Sequence, residues 1–212
     1  MASSESNPSD DLLIREAATI EEYLALEAQS EYKHEYHAGQ VTAMSGGTLN
    51  HSRLGGRAFG FIRDRIRDRK SDCEVFNSDA RVYIPRQQRL VYPDATLVCG
   101  PIQTADEDPE AIINPRLIVE VLSPSTEAHD RNAKFEAYVS LEGFHEYVLI
   151  DSQKPRVDVF FHQQARTWQF CMYNNLEESI RIHSLEADWP MAELYAGWEA
   201  SGGQAVRDTF LG

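Results

Sequence analysis

The sequence predicts a mixed α/β (α+β) fold, a central sheet flanked by helices with additional antiparallel strands at its ends. Three observations carry this. Two segments of helical periodicity enclose three consecutive strand-like runs. A further apolar run follows the second helix, and two alternating segments near the C-terminus read as a hairpin.

Taken in order, "MASSESNPSDD" is rich in Ser, Asn, Pro and Asp, so residues 1–18 read as a flexible tail and 19–212 as a single domain. "TIEEYLALEAQ" (Thr19–Gln29) opens with a capping residue and two acids and spaces Ile20, Tyr23, Leu24 and Leu26 for a helix. "HEYHAGQVTAMSGG" (34–47) reads as a strand pair turned at Gly39. "NHSRLGGRAFGFIRDRIRDRK" (Asn50–Lys70) sets Leu54, Ala58, Phe61, Ile62 and Ile66 on one face and arginines on another. It is a long amphipathic helix capped by Asn50. Three strands are expected next, Asp79–Pro85, Leu90–Gly100 and Arg116–Ser123, with the acidic "TADEDPE" as a loop. A second helix spans about Glu127 to Leu141, its buried side carrying Phe135 and Val139. "HEYVLIDS" is then a buried strand, and "RVDVFFHQ" with "TWQFCMY" an antiparallel hairpin. A short strand, a loop and a short helix close the chain.

With 212 residues, 42% hydrophobic and 25% charged, the chain is long enough for a substantial core. No apolar run approaches the roughly 18–20 residues that span a bilayer, and no secretory signal opens the chain. Cys73, Cys99 and Cys171 are odd in number, far apart and form no CxxC pair, so neither a zinc knuckle nor a disulfide framework is expected; a reducing cytoplasm fits. The net charge of -14 is unevenly spread: residues 50–89 hold ten Lys/Arg against five acids, a local +5, which leaves -19 for the rest. Such a chain is a poor non-specific polyanion binder, but the basic segment leaves room for a local phosphate contact.

Two consecutive long strands each place one carboxylate in apolar sequence, Asp94 in "YPDATLV" and Glu120 in "RLIVEVLS". Buried acids brought together repel by several kcal/mol unless a cation lies between them. Mg²⁺ takes such ligands, using one or two carboxylates plus waters and phosphate. The second helix adds Asp130, Lys134 and Tyr138 on one stripe, and Lys134 is the only lysine between Lys70 and Lys154.

"YPD", "IVEVLSPST" and "DRNAKFEAY" together resemble the PD-(D/E)XK nuclease superfamily, the restriction-endonuclease-like fold, in its branch of restriction endonucleases of unproven activity and domains of unknown function. The resemblance covers most of the chain, from about Glu21 through the Trp198 region. It implies Asp94 and Glu120 as the paired acids that bind Mg²⁺ (with Mn²⁺ as a substitute), helped by the Val121 carbonyl. "EVL" has Leu122 where the simplest pattern has lysine. The resemblance places that lysine on the following helix, at Lys134, where it positions or activates water. It also implies a histidine at the helix start, His51, and auxiliary acids at Glu35 and Asp79.

The implied activity is Mg²⁺-dependent hydrolysis of DNA phosphodiesters. Each residue also has a plainer reading: Glu120 salt-bridged to Arg81 or Arg116, Lys134 paired with Asp130 or Glu127, His51 a cap, Asp79 a strand start, and the Arg63–Arg69 run a self-compensated solvated face. The alternative for the whole is a catalytically silent interaction or structural module that kept the fold, which the charge of -14 supports. Cutting both strands of a duplex takes two sites, and the apolar "WPMAELYAGW" and "RVDVFFHQ" segments offer surface, so a two-fold homodimer is expected.

Overall fold

The computed structural model describes residues 13–16, 18–44, 47–122, 134–164 and 167–198. In chain order, β1 (Leu13–Arg15) precedes helix α1 (Ile20–Glu27) and the hairpin of β2 (His34–His37) and β3 (Gln40–Ala43). Helix α2 (Leu49–Arg69) leads to β4 (Cys73–Asn77), β5 (Arg81–Ile84), β6 (Arg89–Val91), β7 (Ala95–Cys99), β8 (Ala111–Ile112) and β9 (Leu117–Leu122). After α3, described over 134–138, come β10 (Glu146–Asp151), β11 (Val157–Gln164), β12 (Thr167–Tyr173), β13 (Ser179–Ile182), β14 (Ala187–Pro190) and α4 (Met191–Leu194).

Among the described residues the strands form two six-stranded sheets and a two-stranded ribbon. The central sheet has the order β12-β11-β10-β9-β7-β4 and the other β1-β3-β2-β6-β5-β8. In the central sheet β9 and β10 are parallel and the other neighbours antiparallel. All six residues of β9 and of β10 are buried, as a strand covered on both faces requires. Alternation along β9 divides the interior. Leu117, Val119 and Val121 pack under α2 with Leu54, Ala58, Phe61 and Ile62, whereas Ile118 and Leu122 pack on the other face with Ala137 and Tyr138.

The mixed α+β architecture agrees with the sequence reading, and several elements correct it. Leu90–Gly100 is not one strand. β6 and β7 lie in different sheets, and the chain crosses between them at Tyr92–Pro93–Asp94, because proline has no N–H to continue a ladder. The strand Cys73–Asn77 is an edge strand without clean alternation, which hid it. Helix α2 is capped by Thr48, whose hydroxyl accepts from the His51 N–H at 3.2 Å, while Asn50 receives Arg53 instead. Within the expected tail, Leu13–Arg15 pairs with β3. Val139 is exposed rather than buried.

Asp130 and most of the expected connection and helix before Lys134 lie outside the described residues. Cys73 and Cys99 are directly opposed partners on β4 and β7, Cα atoms 3.9 Å apart, and form a disulfide. Spacing along the chain did not reveal a cross-strand pair, and the cysteine argument for a reducing compartment loses its basis. Trp189, Met191, Leu194, Tyr195 and Trp198 are core residues, with Trp189 stacked on Phe61 at 4.5 Å, so "WPMAELYAGW" offers no free apolar surface.

Candidate active site

Asp94 lies where β7 diverges from β9. Their ladder pairs Ala95 with Val119 and goes no further, so the next β9 groups need a partner from elsewhere. Asp94 Oδ2 supplies it by accepting the Val121 N–H at 2.7 Å. The carboxylate thus takes over from the strand that Pro93 interrupts. Oδ1 receives His51 Nε2 at 2.9 Å from the first turn of α2. One turn on, Gly55 gives Asp94 room: a Cβ there would stand 3.3 Å from Asp94 Oδ1.

Glu120 is the even-numbered β9 residue between Ile118 and Leu122 and points toward α3. Tyr138, fully buried on α3, donates its hydroxyl to Glu120 Oε1 at 2.7 Å. Lys134, one helical turn earlier, brings Nζ within 3.5 Å of the same oxygen and within 3.7 Å of Glu35 Oε1 on β2. The compensation that an acid in an apolar strand demands therefore comes from a helix-borne ammonium and phenol. Neither Arg81 nor Arg116 supplies it: Arg81 pairs with Asp108 at 2.9 Å.

Burial pushes the Glu120 carboxyl up to about 7; Lys134 and Tyr138 pull it down, while Asp94 and Glu35 add to the rise. The His51 imidazole is held above its ordinary value, chiefly by its hydrogen bond to Asp94. Tyr138 is raised by burial and by Glu120, so it remains a hydroxyl donor at any ordinary pH. Three acids (Asp94, Glu120 and Glu35) thus share one region with Lys134 and His51.

Of the residues singled out in sequence, Asp94, Glu120, Val121, Lys134, His51 and Glu35 are brought together. Asp79 is not among these contacts. Its exposed carboxylate pairs with Lys33 at 2.5 Å and accepts the Asn77 side-chain amide at 3.2 Å, while the Asp79 N–H donates to Asn77 Oδ1. The Arg63–Arg69 run is locally compensated: Arg63 and Arg67 face Asp64, Arg65 faces Asp68, and Arg69 faces Glu186. Two residues were missed. Tyr138 was placed on the Lys134 stripe without a role, and Gly55 stands four residues after His51, a spacing that puts both on one helix face.

The donor set fits a hard divalent cation. Surplus carboxylate, one member lifted to about 7 by burial and like charge, is the condition such an ion relieves. Among the described residues no three His, Cys, Asp or Glu side chains are disposed to hold a metal jointly.

The family described as "Uma2: Putative restriction endonuclease" matches residues 20–192. Two Synechocystis proteins are similar: "Uncharacterized protein slr1290", 33% identical over 177 residues (84% of this chain, 90% of that one), and "Uncharacterized protein sll1609", 34% identical over 150 residues (71% and 84%). A crystal structure from Anabaena variabilis, titled a putative nuclease belonging to DUF820, superposes with a TM-score of 0.66 at 18% identity, covering 84% of this chain and 97% of that one. At that identity the likeness establishes a shared nuclease-like fold.

Proposed function

Since this chain belongs to the Uma2 family of the restriction-endonuclease-like superfamily, we propose that it is a Mg²⁺-dependent DNA endonuclease, with Mn²⁺ as a substitute, working as a homodimer. The observation that carries this reading is the 3.5 Å approach of Lys134 Nζ to Glu120 Oε1, beside a second carboxylate at Asp94. Position 122, where the simplest motif has lysine, is apolar, yet an ammonium reaches the acid from α3.

Asp94 and Glu120 would hold the ion, with the Val121 carbonyl alongside. Bound there, Mg²⁺ supplies a water of lowered pKa and stabilises charge on the phosphate. The chain's own residues do the rest. Tyr138 fixes the Glu120 carboxylate, and His51 fixes the Asp94 carboxylate from the side opposite Val121. Lys134 is a compact donor able to hold the attacking water or the developing charge on phosphate oxygen. Glu35 draws that ammonium toward the acids.

The test is nicking of supercoiled plasmid by purified protein with Mg²⁺ or Mn²⁺, against chelated controls and Asp94→Asn. Divalent-dependent nicking lost in the variant supports the reading. A second reading, a silent module that kept the fold, is favoured by the net charge of -14 and the internal pairing of the Arg63–Arg69 run. Absence of nicking together with absence of thermal stabilisation by either ion would establish it.

A further inference from the structure

We propose that the outer edge of β12 is the dimerisation surface, pairing antiparallel with β12 of a second copy about a two-fold axis through Phe170. The proposal deepens the homodimer reading and does not depend on nuclease activity. Among the described residues no strand pairs with this edge, and β12 ends the central sheet. The opposite edge, β4, carries Glu74 and is tied down by the Cys73–Cys99 disulfide. β12, by contrast, reads Thr-Trp-Gln-Phe-Cys-Met-Tyr: seven residues with no charge and no proline, the guards that keep an exposed strand from pairing.

Neutrality decides what can sit there. Two copies of a chain with net charge -14 repel, so they approach through a stretch that carries no acid. β12 is such a stretch. Its α3-facing side is also incompletely covered. Phe135 of α3 reaches Phe160 (4.6 Å) and Trp168 (5.2 Å) and stops, which leaves Phe170 51% and Met172 46% exposed. An acidic or basic peptide gains nothing from this edge, whereas an identical copy matches it.

Parity sets the register. In an antiparallel pair, opposed residues must both turn their backbone groups inward or both outward, so a two-fold axis passes through a residue and never between two. Centred on Phe170, all seven residues pair: Phe170 with Phe170, Trp168 with Met172, Thr167 with Tyr173, and Gln169 with Cys171. On the α3 side this lays an aromatic pair between two aromatic–thioether pairs and covers the exposed Phe170 and Met172. A slip to a Cys171 centre pairs five residues and loses the Trp168 contacts. The result is one continuous twelve-stranded sheet, twice the six of each copy.

Sedimentation at tens of micromolar should give twice the 24.1 kDa chain mass for the wild type and the chain mass for Phe170→Asp, with the melting temperature of the monomeric variant nearly unchanged. Register is read by Gln169→Cys: under mild oxidation Cys171, a free thiol, should form a covalent dimer with it that Cys171→Ser abolishes. A wild-type monomer, a dimer that survives Phe170→Asp, or a Gln169→Cys chain that does not cross-link would overturn the proposal. Spontaneous cross-linking of the wild type through Cys171 would place the axis one residue away and overturn the register. Plasmid nicking reports on Asp94 and Glu120 separately, so a monomer that still nicks refutes this surface alone, and a dimer that never nicks refutes only the nuclease reading.

Discussion

Lys134 Nζ stands 3.5 Å from Glu120 Oε1, joining the helix after β9 to the one acid that β9 buries. The ammonium is the strongest influence that lowers the Glu120 pKa against the rise caused by burial. Lys134→Ala should reduce nicking by about 100-fold or more, the scale of losing one preorganised donor at a developing charge. Lys134→Arg should retain little, because a planar fork replaces a compact ammonium. Lysine is not a metal ligand, so the ion should still bind Lys134→Ala, with the pH midpoint of binding moved upward. Wild-type nicking by Lys134→Ala would show that the lysine only balances charge.

The pH dependence of the metal-free protein follows from Glu120. Its carboxyl is raised from 4.5 to about 7, so between those values the folded chain holds a proton that the unfolded chain has released. Stability from this group is therefore complete below the lower value and is lost as pH rises through about 7, by a few kcal/mol. Melting temperatures taken from pH 5 to 8 should fall in the wild type, fall less in Glu120→Gln, and recover at pH 8 on addition of Mg²⁺ in the wild type only. A wild-type curve that rises over this range would mean that the acid is stabilised as an ion by the protein alone.

Gly55 separates helix stability from site geometry. Alanine in a helix interior is favoured over glycine by roughly 1 kcal/mol, yet its Cβ would press on Asp94 Oδ1 from 3.3 Å. Asp94 has little freedom to retreat, being held by His51 and by the Val121 N–H. Gly55→Ala should therefore leave the apo melting temperature unchanged or higher while weakening Mg²⁺ affinity in a titration. A loss of both together would make Gly55 a packing residue only.

The disulfide joins residues 26 apart in sequence, which in the chain-entropy account contributes about 3–4 kcal/mol. Reduction, or Cys73→Ser with Cys99→Ser, should lower the melting temperature by several degrees. Indistinguishable melts with and without reductant would refute that contribution.

How much of this was legible in sequence depends on which interactions are local. The buried runs of β9 and β10, the amphipathic α2 and the α1 capping box announce themselves by period and composition, and so did the isolated acids Asp94 and Glu120. Pairings between distant segments did not. Cys73 meets Cys99 only because β4 pairs with β7, and Leu90–Gly100 reads as one strand until two sheets divide it at Pro93. The segment "WPMAELYAGW" as a whole looked like spare surface because the sequence does not say that Phe61 awaits Trp189. Asp79 resembled a site acid by motif, but Lys33 engages it.

The ammonium that arrives from α3 also shapes how this lineage can change. A lysine at position 122 would have to be buried among Ile118, Ala137 and Tyr138, so the strand is committed to its apolar role. The cation is instead carried by a helix residue that can be exchanged without altering any sheet position. On the proposed nuclease reading, a single codon change at 134 would remove the catalytic ammonium and leave the scaffold inheritable. Active and retired members of one family can then share a fold almost unchanged, and residue 134 is the position at which they should be sorted.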